Sequence, residues 1–148
     1  MIDLPRFVEA ARPVTLARCA GGYLPWLMAD VARAAKGRAW FIAADEAQAR
    51  SVAEAAAYFA PEIAITMLPA WDCLPYDRVS PAPEIVSERL ASLIRLAKPR
   101  SGGHRTARLI LVSVTAAIQR FPPVADYEAA GLIIKSGGQL AQPALVAA

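Results

Sequence analysis

Residues 38–68 read RAWFIAADEAQARSVAEAAAYFAPEIAITML. Two short apolar runs, RAWFIA (38–43) and EIAITML (62–68), enclose a longer periodic stretch. Continuous apolar runs of this length are expected of strands buried on both faces, as in a parallel sheet. Between them Ala49, Val52, Ala53, Ala56 and Phe59 recur at helical spacing. Asp45 stands where an N-cap belongs, with Gln48 three residues on as in a capping box, and Pro61 closes the helix. The unit reads strand–helix–strand.

The pattern extends both ways. Pro13–Arg18 (PVTLAR) is a short apolar strand candidate. It is followed by the turn CAGG and a helix carrying Leu24, Leu27, Met28, Val31 and Ala35, with Gly37 as a helix stop. Downstream, a helix begins at Pro83 with Val86, Leu90, Leu93, Ile94 and Ala97 on one face and Pro99 beyond its end. Glu84 and Glu88 near its start and Arg95 and Lys98 near its end suit the helix dipole. RLILVSV (108–114) is a fourth strand, TAAIQRF a short helix and FPPVADYEAAG a linker-like stretch. The order predicts an α/β fold: an open, mostly parallel sheet with helices on both faces. Residues 1–124 form the module, and 125–148 a linker and the start of something further.

In such folds the first strand-to-helix turn often holds phosphate on glycine backbone and a helix N-terminus. Here that turn is ARCAGGYL, with Gly21 and Gly22. A working loop follows its last glycine with Lys and Ser/Thr, and Tyr23 and Leu24 stand there instead. Nor is there GxGxxG. The turn reads as a degenerate phosphate loop whose glycines serve close helix–strand packing, and no cofactor is assigned to it.

The 148 residues are 56% hydrophobic and 20% charged, with a formal net charge of +3. That is sufficient for a core and argues against disorder. The cysteines, Cys19 and Cys73, form no CxxC pair, and His104 is the single histidine. A structural zinc site and a histidine-based triad are both excluded, and no catalytic residue emerges. Free thiols, no membrane span and a charged N-terminus point to a soluble cytoplasmic protein. The loop KPRSGGHRTAR gathers Lys98, Arg100, Arg105 and Arg108, the candidates for DNA phosphate contact; its bland reading is a solvated loop.

Between the third strand and the helix at Pro83 lies LPAWDCLPYDRVSPAPEIVSERL, a proline-stiffened elbow. Prolines 69, 75, 81 and 83 restrict its backbone. It is either a preorganised docking surface or an internal brace for the helix. Trp71, Tyr76, Arg78 and Arg89 are the partner-binding candidates, with Arg78 and Arg89 as the members expected at the surface.

The elbow, through Trp71, Asp72, Leu74, Pro75, Tyr76, Ser80, Ser87, Arg89 and Leu90, resembles the N-terminal region of the bacterial transcription-repair coupling factor (Mfd) family. That region is itself similar to the first module of the excision-repair helicase subunit UvrB. The resemblance continues through LILVSVTAAIQR and, weakly, IIKSGGQL. It implies a helicase-like (RecA-like) α/β module with a degenerate nucleotide loop. UvrB would keep the lysine of that loop and insert a tyrosine-rich hairpin after the elbow, and this sequence has neither. The family as a whole displaces stalled RNA polymerase and recruits UvrA with an ATP- and magnesium-dependent motor. The resemblance therefore implies a scaffold and interaction module of transcription-coupled nucleotide excision repair, with the motor elsewhere. UvrA and RNA polymerase would be partners of the whole protein, and DNA a further one. It also implies an incomplete chain, in which residues from about Gly131 open a second, UvrA-binding-type module. The competing readings are a nucleotide-binding enzyme domain and a DNA-binding module built on residues 98–108.

Overall fold

A computed structural model describes residues 3–35, 37–74, 76, 78–97 and 107–130, the last three by backbone alone. The elements are α1 (Leu4–Val8), α2 (Tyr23–Ala34), β1 (Arg38–Ala43), α3 (Glu46–Phe59), β2 (Ala64–Leu68), α4 (Pro83–Ala97), β3 (Arg108–Ser113), α5 (Val114–Ala117) and α6 (Val124–Ala130).

The three strands form one parallel sheet in the order β1-β3-β2. Arg38 is level with Arg108 and Ala43 with Ser113, while Ala64 also pairs with Arg108. β3 is the central strand, and Leu109 to Ser113 are all buried, as its continuous apolar run requires. Leu109 and Leu111 point into a core shared with Ala29 and Ala32 of α2 and Val52 and Ala56 of α3. On the opposite face Val112 meets Leu68, Ala116 and Leu93 of α4. Helices thus cover both faces. α2 and α3 approach through alanines, and such small side chains let the helices lie close to each other and to the sheet.

Local signals account for most of the element ends. The Asp45 carboxylate accepts from the Gln48 N–H at 2.7 Å. In return Gln48 Oε1 accepts from the Ala44 N–H at 2.8 Å, one residue before the cap. Ser113 ends β3 and caps α5 by accepting from the Ala116 N–H. Pro83 occupies the first position of α4, where a missing N–H costs nothing.

Three expectations are corrected. PVTLAR is not a strand: residues 13–18 run without secondary structure, and only Leu16 among them is even half-buried. Pro13 has no N–H to give a ladder, and Arg18 breaks extended geometry with a φ of 59°. The sheet therefore holds three strands among the described residues. Next, the face of α4 turned inward is centred on Arg89, Ser92 and Leu96, with Leu93 beside it, while Leu90 is 41% exposed. Apolar spacing misplaced this face because two of its buried members are polar. Finally, a helix, α6, stands in the stretch read as linker and packs on α4.

Candidate functional site

The carboxyl ends of the three strands meet the elbow, and one side chain joins them. Glu46, in the first turn of α3 after β1, accepts from the Ala70 N–H after β2 and from the Ser113 Oγ at the end of β3, both at 2.9 Å. This is the edge where open α/β sheets bind ligands. Here it is cross-braced by a carboxylate. Sequence reading passed over Glu46; the signal was an acid directly after an N-cap that already supplied the helix's capping oxygen.

The elbow's base is fixed from several sides. Arg89 of α4 is 1% exposed and donates Nη1 to the Pro69 carbonyl at 2.5 Å. Its guanidinium carbon lies 4.9 Å from the ring centroids of both Trp71 and Phe121, so the cation is sandwiched between two aromatic faces. Ser92 Oγ donates to the Met67 carbonyl, and the Trp71 N–H donates to Gln119 Oε1. Burial lowers the Arg89 pKa, while the nearby Tyr127 and Glu46 pull it back up. Nη2 of Arg89 has no hydrogen-bond partner among the described residues. The two rings stack directly on the charge, and the Glu46 carboxylate acts on it from further off.

Beyond this base the elbow becomes a surface loop. The Ala82 N–H donates to both Asp72 oxygens at 3.3 Å, drawing the two ends of residues 72–82 together. Between them Leu74 is 69%, Tyr76 96% and Val79 72% exposed, and Arg78 is exposed as well. The candidates therefore separate. Trp71 and Arg89 belong to the brace, against the expectation that Arg89 lies at the surface. Tyr76 and Arg78 belong to the exposed tip.

The turn at Gly21 and Gly22 stands directly before α2. A Cβ at either glycine would meet nothing within 4 Å, and neither has a positive φ, so they do not serve close packing. The Tyr23 and Leu24 N–H groups that open α2 donate to the Ala20 carbonyl instead of facing outward unpaired. Of the basic candidates, Lys98, Arg100 and Arg105 lie outside the described residues. Arg108 is half-buried and donates Nη1 to the Arg95 carbonyl, while Arg38 donates Nη2 to the Leu96 carbonyl. Both arginines cap the C-terminal carbonyls of α4. Among the described residues no group of acidic, histidine or cysteine side chains is arranged to hold a metal, and no helix is long and apolar enough to cross a membrane.

No protein-family model matches the chain. It is 28% identical, over 138 residues, to the transcription-repair-coupling factor of Escherichia coli (strain K12), an alignment covering 93% of this chain and 11% of that protein. It is 33% identical over 76 residues to the transcription-repair-coupling factor of Haemophilus influenzae, covering 51% of this chain and 6% of that protein. The chain is thus related in sequence to a region of transcription-repair-coupling factor, and it spans about a tenth or less of the curated relatives it matches.

Proposed function

We propose that this segment is a scaffold and partner-docking module of transcription-coupled DNA repair, and that it has no nucleotide chemistry of its own. The observation that carries the reading is the two-part elbow. Its base is tied to α4 and the sheet by Arg89, Trp71 and Glu46. Its tip holds Leu74, Tyr76 and Val79 out to solvent. A preordered loop with an aromatic at its apex loses little entropy on binding, and aromatics and arginines dominate interface energetics. Tyr76 and Arg78 are the contact residues in this reading. In a longer protein of the family, RNA polymerase and UvrA are the partners to try.

The reading is tested by immobilising the chain and measuring binding of purified RNA polymerase and UvrA. Tyr76→Ala and Arg78→Ala should each weaken capture of the bound partner at least tenfold while leaving the melting curve in place. Undiminished capture by the double variant overturns the tip as the contact. Saturable, magnesium-dependent ATP binding by the chain would overturn the scaffold reading itself. Glu46 occupying the strand ends, and the Tyr23 and Leu24 N–H groups already donating to the Ala20 carbonyl, speak against that outcome.

A further inference from the structure

The contact that closes the elbow also starts α4. The Val86 N–H donates to the Ala82 carbonyl at 3.1 Å, which puts Ala82 at the N-cap of a helix whose first residue is Pro83. Alanine has no side-chain oxygen with which to cap. In a capping box a Glu or Gln three residues on would reach back to the N–H of the cap residue, but that position is Ile85. Asp72 takes this second role from ten residues upstream. Both of its carboxylate oxygens accept from the Ala82 N–H at 3.3 Å. A negative charge is also favoured at a helix N-terminus. The start of α4 therefore lacks local capping chemistry, and the elbow supplies it.

The latch joins two anchored flanks. Trp71, directly before Asp72, stacks on Arg89 and donates its N–H to Gln119 Oε1. Pro83, directly after Ala82, begins the helix that carries Arg89. Between Asp72 and Ala82 the chain turns out to solvent with Leu74, Tyr76, Arg78 and Val79 exposed. We propose that Asp72 is the positioning residue of this tip: its carboxylate fastens the loop to the N-terminus of α4 and so holds those four side chains in one arrangement. That the tip meets a partner rests on the function proposed above; the latch itself does not. A loop released at Asp72 samples more conformations, and a partner has to remove that entropy on binding. Asp72 thereby acts on docking while lying at the foot of the loop, away from its apex.

The test is brief trypsin digestion of the full chain and of its Asp72→Ala and Asp72→Asn variants. Initial cleavage after Arg78, in the loop, is measured against cleavage after Arg50, which is exposed on α3. Asp72→Ala should raise the Arg78-to-Arg50 ratio about fivefold or more, because a protease cuts a loop as it opens locally. Asp72→Asn keeps an accepting oxygen and should stay within about twofold of the unaltered chain. An unchanged ratio in the alanine variant overturns the latch. So does a rise shared equally by Arg50, since that reports general unfolding. An asparagine variant cut as fast as the alanine one also overturns it, because the hydrogen bond to Ala82 is then not what holds the loop. Capture of RNA polymerase and UvrA by the same variants is read separately. A raised ratio with undiminished capture would strike the tip as the contact, while the latch, supported by the cleavage, would stand.

Discussion

The guanidinium of Arg89 stacks against the indole of Trp71 at 4.9 Å, with the arginine on α4 and the tryptophan on the elbow. The contact joins elements 18 positions apart, and Phe121 closes the other side of the stack. Removing the side chain should therefore loosen three segments at once. Arg89→Ala is expected to destabilise the chain by about 2–4 kcal/mol, the range for emptying a large buried site. Arg89→Met keeps most of the volume and removes the buried charge with its Nη2, which has no hydrogen-bond partner among the described residues. It should cost under about 1.5 kcal/mol. Urea unfolding of the two variants checks the order. A methionine variant as unstable as the alanine one would show that the hydrogen bond to Pro69 dominates over filling.

Arg18 and Gly21 make a paired prediction. Arg18 holds a left-handed φ of 59°, a region that disfavours side chains, whereas Gly21 has ordinary geometry and open space around its missing Cβ. Arg18→Gly should be neutral or stabilising by up to about 1 kcal/mol. Gly21→Ala should also be neutral or slightly stabilising, by about 0.4–1 kcal/mol, because it narrows the unfolded ensemble. Thermal melting of both variants decides it. A large loss at Gly21 would reveal a close approach by another group.

Asp45 caps α3 and engages Gln48. Asp45→Ala should cost about 1 kcal/mol, the usual value of an N-cap. Asp45→Asn keeps an accepting oxygen and should lose much less. Equal losses in chemical denaturation would mean that charge at the helix N-terminus, not the cap hydrogen bond, is what matters.

Tyr127 on α6 carries a pKa raised above its ordinary value near 10, first by burial and further by Asp126, with Arg89 opposing. The folded chain therefore holds the phenolic proton more tightly than the unfolded chain does. Stability should be unaffected below about pH 10 and fall as pH rises through and beyond that value. Tyr127→Phe should flatten this alkaline slope. Urea midpoints at pH 8, 9.5 and 10.5 measure it, and an unchanged slope would place the titration elsewhere.

The architecture was legible where apolar pattern and burial coincide. RLILVS (108–113) is the case in point, a mostly apolar run buried from Leu109 onward, and AITML (64–68) follows it in part. RAWFIA (38–43) forms a strand too, but as an edge strand with Trp40 and Ile42 exposed, against the expectation of burial on both faces. Asp45 with Gln48 announced the helix between β1 and β2. PVTLAR carries a similar composition but forms no strand, since composition does not report whether a neighbouring edge will accept it. α4 was found, yet its inward face was misjudged. A buried arginine between two aromatic rings has no periodicity signal, and Phe121 is 32 residues away from it in sequence. The same holds for Glu46, whose two partners come from the ends of other strands. Tyr76 and Trp71 look alike as elbow aromatics, and their opposite fates depend on where α4 sets its arginine.

Arg38 and Arg108 stand level with each other across β1 and β3, and both reach the last turn of α4. The consequence concerns pairing fidelity. Sliding either strand by one residue would swing its leading arginine to the other side of the sheet, leaving a helix-end carbonyl without its donor. Two such anchors at the entry to neighbouring strands act like a ratchet pawl. The helix end checks the alignment of the sheet, and a misaligned chain is penalised at a place where apolar side chains alone would not detect the error.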